Sequence, residues 1–117
     1  MEVTIYHNPR CSKSRATLEL LEARGIEPTV VRYLETPPST SELTALLGAL
    51  GMSPRALLRT GEKEYGELGL DQPELNDAQL IEAMSEHPRL IERPIVVVGG
   101  QARIGRPPET VLEILPG

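Results

Sequence analysis

The sequence predicts an α/β protein in which a βαβ unit comes first and a ββα unit comes last. Near the start, "VTIYH" and "TVVRYL" are short runs rich in β-forming residues, and "SKSRATLELLEAR" between them has helical spacing. Near the end, "IVVV", "GGQ" and "ARIG" predict a hairpin that leads into "PPETVLEIL". The leucine-rich stretch between these units predicts a helical insertion over about 37–88.

The first unit begins with a strand over Val3–His7, where apolar and polar residues alternate. A helix over 12–24 follows, and Gly25 is placed to end it. Residues 29–34 form the second predicted strand. Because a helix of this length joins the two strands, we expect them to be parallel.

The insertion begins with a helix that Ser39 and Glu42 start as a capping box, followed by leucines at helical spacing. Residues 53–59 predict a short helical segment. Residues 60–73 are polar and contain glycine, so we expect them to be mostly irregular. A further helix is predicted over 76–87.

The last unit has strands at 95–98 and 102–105 and a helix over 107–115, with proline at its start where a missing N–H costs nothing. A βαβ unit and a ββα unit in one small sheet make the thioredoxin-like arrangement. We therefore expect a single α/β domain over 1–117, thioredoxin-like, with a helical insertion.

Composition and charge argue against several classes of function. The net charge of −5 argues against a general nucleic-acid binder, because phosphate binding needs a basic face. No apolar run is long enough to span a bilayer, and "MEVTIYHN" lacks the features of a signal peptide. The single cysteine cannot form an internal disulfide, which agrees with a reducing compartment. The expected location is cytoplasmic.

That cysteine, Cys11, lies where the first helix is predicted to begin. The free N–H groups and the dipole of a helix N-terminus favour a thiolate, and His7, Arg10 and Arg15 are near enough in sequence to add positive charge. Such surroundings lower a cysteine pKa and make the sulfur nucleophilic. The alternative is a small buried apolar residue, which the polar and basic flanks disfavour. One Cys and two distant His do not form a metal-ligand set, so no metal is expected.

Ser14 occupies the position where a two-cysteine redox motif would have its second cysteine. A hydroxyl can donate a hydrogen bond to a thiolate, but it cannot resolve a mixed disulfide. An oxidised Cys11 must therefore be restored by a thiol from another molecule.

Three arginines stand out by their placement: Arg59, Arg93 and Arg106. In a thioredoxin-like fold the segment before the third strand passes beside the catalytic loop, and its proline is commonly cis. We therefore expect a cis bond between Arg93 and Pro94, with Arg93 near Cys11. Each arginine alone is more often a surface residue, but guanidinium groups bind tetrahedral oxyanions, so together they suggest an anion pocket.

Five segments, in this order, resemble the glutaredoxin-coupled arsenate reductase family and its short YfgD-like branch: "IYHNPRCSKSR", "YLETPP", "RALLR", "HPRLIERPIVV" and "RIGRPPE". The resemblance implies that Cys11 attacks arsenate, that glutathione displaces arsenite to leave a mixed disulfide, and that glutaredoxin removes the glutathione. It implies no bound cofactor, with glutathione as co-substrate.

The same resemblance assigns roles to individual residues. Arg59, Arg93 and Arg106 match the family's three anion-binding arginines. His7 matches a histidine that helps to keep the thiol ionised, and Ser14 matches a serine of the active-site loop.

Two other functions stay open at this point. Spx-type regulators use the same fold to bind RNA polymerase, but they commonly carry Cys-x-x-Cys where this chain has Cys-x-x-Ser. A glutathione-linked oxidoreductase that acts on another substrate would use the same residues. Ser12 and Lys13 differ from the Gly-Thr of well-studied arsenate reductases, which leaves the substrate open.

Overall fold

The computed structural model describes residues 2–116, which form two compact units. The first unit contains the chain up to Thr36 and from Arg93 onwards, and the second contains residues 37–92. The first unit holds the sheet and the second is helical. The predicted α/β class is confirmed.

The first unit is built on a four-stranded sheet in the order β2-β1-β3-β4. Its elements are β1 (Val3–Tyr6), α1 (Ser12–Ala23), β2 (Thr29–Val31), β3 (Ile95–Val98) and β4 (Gln101–Ile104). β1 is parallel to β2 and antiparallel to β3, and β4 is antiparallel to β3. This is the thioredoxin-like arrangement that the sequence predicts.

The chain closes with a 3₁₀ helix over Pro108–Ile114, not the predicted α-helix over 107–115. Its hydrogen bonds are of the tighter i→i+3 kind, such as the one from the Thr110 N–H to the Pro107 carbonyl. Prolines bound the segment at both ends, and Leu115 before Pro116 is extended. Because the residue before a proline avoids the α conformation, the segment has little room to wind as an α-helix.

Aliphatic side chains fill the core of the first unit. They come from β1, α1, β3 and the last 3₁₀ helix: Val3, Ile5, Leu21, Val96, Val98, Val111 and Ile114. Full burial of one such side chain stabilises a fold by about 1.5–3 kcal/mol. Since the chain has no Phe or Trp, these branched residues supply the packing that holds the sheet against α1.

The second unit contains α2 (Thr40–Leu50), α3 (Pro54–Leu57), α4 (Lys63–Glu67), α5 (Asp77–Glu86) and a 3₁₀ helix over Pro88–Leu90. α2 and α3 pack against α5. Helix starts are stabilised by side chains as the sequence indicates: the Ser39 hydroxyl accepts a hydrogen bond from the Glu42 N–H at 3.1 Å, which caps α2.

The stretch over 60–73 is more ordered than predicted, because it contains α4. This helix has five residues, and Gly69 beyond it has a φ of 65°. A left-handed glycine just after a helix satisfies the last carbonyl groups. One turn of helix carries too little periodicity to be distinguished from a polar loop by sequence pattern.

β2 is shorter than predicted and ends at Val31, not at Leu34. The N–H groups of Glu35 and Thr36 both donate to the Arg32 carbonyl at 2.9 Å, which turns the chain away from the sheet. The side chains from Arg32 to Glu35 therefore belong to a loop at the end of β2.

Each of the four strands has a loop or connecting segment at the same edge of the sheet. Tyr6, the last residue of β1, pairs with Val31 and Ile95, and Ile95 pairs with Ile104. The loop after β1, the loop after β2, the segment before β3 and the segment after β4 therefore meet at this edge. The Arg93–Pro94 bond is cis, as predicted, and the Arg106–Pro107 bond is also cis, which the sequence reading did not anticipate.

Two features do not occur within residues 2–116. No helix there has both the length and the apolar character needed to cross a membrane. No three His, Cys, Asp or Glu side chains there are grouped so that they could hold a metal ion.

Gly105 generates a prediction about packing at this edge. A Cβ at Gly105 would overlap the Thr17 hydroxyl and lie 2.9 Å from Pro94 Cγ. Gly105→Ala should lower the free energy of unfolding by about 1–3 kcal/mol, because overpacking forces neighbours to shift. Urea denaturation measures this change.

The matched control is Gly100→Ala, since a Cβ there meets nothing within 4 Å. Equal stability losses in the two variants would contradict the close packing at Gly105.

Candidate active site

Cys11 occupies the N-cap position of α1 with an extended backbone, φ −96° and ψ 123°. The residue is 8% exposed. Its N–H donates to the Asn8 carbonyl at 3.0 Å, and its own carbonyl accepts from the Arg15 N–H at 3.0 Å. These bonds fix the sulfur against the first turn of α1, where backbone N–H groups lack helical partners.

Arg93 and Arg106 both contact the Cys11 sulfur. The Arg93 side chain hydrogen-bonds the Cys11 thiol. Arg106 Nη2 lies 3.4 Å from Cys11 Sγ, while Arg106 Nε donates to the Arg93 carbonyl at 2.7 Å. The structure thus brings together Cys11 and two of the three arginines singled out in the sequence.

The surroundings of Cys11 act on its pKa in opposite directions. Burial raises the pKa of the thiol, and it is the largest single influence. The Ser14 N–H, the Arg93 guanidinium and the Lys13 N–H, each hydrogen-bonded to the sulfur, together outweigh burial and hold the pKa below the ordinary value. Cys11 is therefore a buried but activated thiol and not an inert core residue.

His7 has a different role from the one expected. It is 5% exposed, and burial, followed by the nearby charges of Arg32 and Arg15, lowers its pKa below 6.5. The ring is therefore mostly neutral at pH 7, and the prediction that His7 supplies positive charge is wrong. Burial and the two guanidinium groups all disfavour the cationic imidazole.

Ser14 contacts the Cys11 sulfur through its backbone N–H and not, as expected from the sequence, through its hydroxyl. Its hydroxyl is fully buried, lies 2.6 Å from His7 Nδ1 and accepts a hydrogen bond from the Asn8 N–H at 3.0 Å. The hydroxyl therefore ties the end of β1 to α1, and it is the backbone N–H of Ser14 that bonds the sulfur. The predicted hydroxyl-to-thiolate bond is corrected accordingly.

Arg59 lies in the second unit. Its Nε donates to Glu62 at 3.2 Å and its Nη1 donates to Glu92 at 2.8 Å. Two carboxylates therefore fix the direction of this guanidinium within its own unit. Its part in oxyanion binding stays a prediction.

Asn8 and the Lys13 N–H are functional groups that the sequence reading missed. Asn8 Oδ1 accepts a hydrogen bond from the Arg10 N–H at 3.0 Å, which shapes the loop that ends at Cys11. The signal for Asn8 is present in the sequence, because Asn before Pro favours this kind of side-chain turn. A backbone N–H leaves no signature of its own, so Lys13 could not be found in this way.

A thioredoxin-like sheet with a single activated cysteine at the start of α1 defines a class of thiol-dependent proteins. Within that class, the ArsC family model matches residues 6–114, and the chain belongs to the ArsC family. It is 58% identical to the Escherichia coli K12 protein YfgD over 97% of each chain. It is 53% identical to an arsenate reductase of the same organism, over 97% of this chain and 81% of that one.

Among solved structures, an arsenate reductase from Vibrio cholerae shares the fold with a TM-score of 0.96. The two chains are 60% identical, and the match covers 98% of each. The thioredoxin-like fold and the resemblance noted in the sequence are both confirmed by these comparisons.

The electrostatics of Cys11 give a prediction for its titration. Arg93→Met should raise the pKa of Cys11, because the variant loses both the hydrogen bond and the charge that favour the thiolate. The ultraviolet absorbance of the thiolate against pH measures the midpoint. Arg24→Met, at the exposed end of α1, is the control and should leave the midpoint unchanged. An unchanged midpoint in Arg93→Met would show that Arg93 does not stabilise the thiolate.

The neutral state of His7 gives a second prediction, for stability. Because the folded pKa of His7 lies below 6.5, the folded state resists its protonation. The stability that the neutral His7 ring contributes is fully present above pH 6.5 and is lost as the pH falls from there through the folded pKa. NMR titration of the ring should give a midpoint below 6.5, and His7→Gln should flatten this part of the stability profile. A midpoint at or above 6.5 would refute the neutral-ring assignment.

Proposed function

We propose that this protein reduces arsenate to arsenite, with Cys11 as the nucleophile. The observation that carries the proposal is a buried sulfur, held towards the thiolate form, that two guanidinium groups contact directly. Relatives named arsenate reductase, at 51–54% identity over nearly the whole chain, support arsenate as the substrate.

In the first step the oxyanion binds beside the sulfur. Arg93 and Arg106 each offer a planar fork that fits two oxygens, and the first-turn N–H groups of α1 add donors. Arg59 is the proposed third arginine. The Cys11 thiolate attacks arsenic, a sulfur–arsenic bond forms, and one arsenic–oxygen bond breaks with the oxygen leaving as water after protonation. Arsenic remains pentavalent in this adduct.

In the second step an external thiol supplies the electrons. A glutathione thiolate attacks the Cys11 sulfur, so that a disulfide bond forms and the sulfur–arsenic bond breaks with its electron pair left on arsenic. Arsenic becomes trivalent and leaves as arsenite. A glutaredoxin thiolate then attacks the glutathione sulfur of the mixed disulfide and releases the Cys11 thiolate. In sum, two thiols become one disulfide and arsenic gains two electrons.

The need for an external thiol follows from the single cysteine of the chain, and we propose glutathione and glutaredoxin in this role. Ser14 stands at the resolving position, and its hydroxyl cannot exchange with a disulfide. Because such donors are maintained in reducing compartments, we place the reaction in the cytoplasm, where it would contribute to arsenic resistance.

A coupled assay with arsenate, glutathione and glutaredoxin tests the proposal. The wild-type protein should form arsenite and Cys11→Ser should not. Arg93→Lys should lower kcat/KM about tenfold to a hundredfold, because lysine keeps the charge but loses hydrogen bonds to the oxyanion. Arg24→Lys is the matched control and should retain full activity.

Omission of glutaredoxin tests the order of the thiol steps. The protein should then accumulate with one glutathione on Cys11, visible in its intact mass, while turnover slows. Sustained reduction by a donor that cannot form mixed disulfides would contradict the glutathione step. An absence of arsenite under every thiol condition would contradict arsenate reduction itself.

A further inference from the structure

A cavity of about 310 Å³ lies beside the loop that leads to Cys11. Its lining includes His7, Asn8, Arg10, Arg32, Leu34 and Glu35. These residues follow β1 and β2, so the cavity is at the carboxyl ends of the two parallel strands. Ligands of open α/β sheets typically bind at such ends. The turn that shortens β2 is what brings Arg32 and Glu35 to this place.

Two hydrogen-bond donors, on largely buried residues of the cavity lining, have no acceptor among residues 2–116. Ser14 has one hydroxyl proton, and within residues 2–116 its hydroxyl contacts only the Asn8 N–H, which donates to it, and His7 Nδ1. The proton therefore goes to Nδ1, which leaves the neutral ring with its proton on Nε2. Asn8 uses Oδ1 to accept from Arg10, which leaves its Nδ2 group.

In that described range neither His7 Nε2 nor Asn8 Nδ2 makes a hydrogen bond, although the residues are only 5% and 9% exposed. Neither atom is fully buried, so a ligand in the cavity can supply the acceptor that each of them lacks within the protein.

The charges of the lining define the ligand further. Arg10 and Arg32 add guanidinium groups, which bind carboxylates in pairs of hydrogen bonds. Glu35 adds the one carboxylate, and Leu34 adds apolar surface at 39% exposure. Arg32 and Glu35 are 3.9 Å apart with both side chains exposed, and a surface pair of this kind is worth about 0–1 kcal/mol. A ligand can therefore replace that pair with bonds of its own.

We propose that this cavity binds the thiol co-substrate, a small peptide thiol that carries two carboxylates and one ammonium group, as glutathione does. The inference rests on the proposed function for the role of the thiol, but not for the binding itself. The carboxylates meet Arg10, Arg32 and the donors of His7 and Asn8, and the ammonium meets Glu35. Arg10 lines the cavity and directly precedes Cys11, so the cavity borders the loop that carries the sulfur.

The kinetic test uses Arg32→Ala and Glu35→Gln, which change the cavity and leave Cys11, Arg93 and Arg106 intact. Each variant should raise the KM for glutathione about tenfold, the effect of losing one charged hydrogen bond, and leave the KM for arsenate unchanged. With 2-mercaptoethanol as donor, which has no carboxylate or ammonium, the variants should match the wild type. Arg24→Ala is the control for loss of an exposed arginine and should show no change.

A binding test separates this inference from the proposed function. S-methylglutathione has no free thiol, so its titration reports binding alone. It should shift the NMR signals of the His7 ring and the Asn8 side-chain amide in the wild type, and shift them far less in Arg32→Ala. If that holds but no arsenite forms in any assay, the cavity assignment stands and the proposed function fails. If arsenite forms but the ligand leaves His7 and Asn8 unperturbed and Arg32→Ala keeps the wild-type KM, the cavity assignment is overturned.

Discussion

The stabilisation of negative charge on a buried sulfur is the constraint on which the rest of the site depends. Water stabilises a thiolate well and a protein interior does not, so burial of Cys11 by itself favours the neutral thiol. Hydrogen-bond donors that the fold holds in place stabilise the thiolate against this effect: the first-turn N–H groups of α1 and the Arg93 guanidinium. The strand order is what makes this arrangement available, since it delivers α1, Arg93 and Arg106 to the same edge of the sheet.

In this site, the residues that supply positive charge are not the residues that hold the loop in position. Arginines supply the positive charge, while the neutral His7 and the Ser14 hydroxyl hold the loop in position. This separation suits the proposed reaction. When the sulfur–arsenic bond forms, negative charge leaves the sulfur and remains on the oxyanion, so the guanidinium groups that first held the thiolate are then placed to hold the adduct. A cationic His7 would instead be repelled by the nearby positive charges of Arg32 and Arg15.

The sequence predicted the parts of this account that depend on residue pattern. The parallel first two strands, the later hairpin and the position of Cys11 at the start of α1 follow from periodicity. The approach of Arg93 beside a cis proline follows from the fold class. The protonation state of His7 could not be predicted, because it depends on burial and on Arg32 from the loop after β2. The early end of β2 was missed because "TVVRYL" keeps its β-forming composition where the backbone already turns.

Arg59 shows a further limit. The family resemblance predicts an anion-binding role for it, but the motif does not encode its bonds to Glu62, at a helix start, and to Glu92, far along the chain. The most direct test of the central claim is the rate at which iodoacetamide alkylates Cys11 in the presence of phosphate, an unreactive oxyanion of the same shape as arsenate. We expect rapid alkylation that phosphate slows in a saturable way, and weaker protection in Arg106→Met. A rate that saturating phosphate leaves unchanged would contradict an anion site at the sulfur.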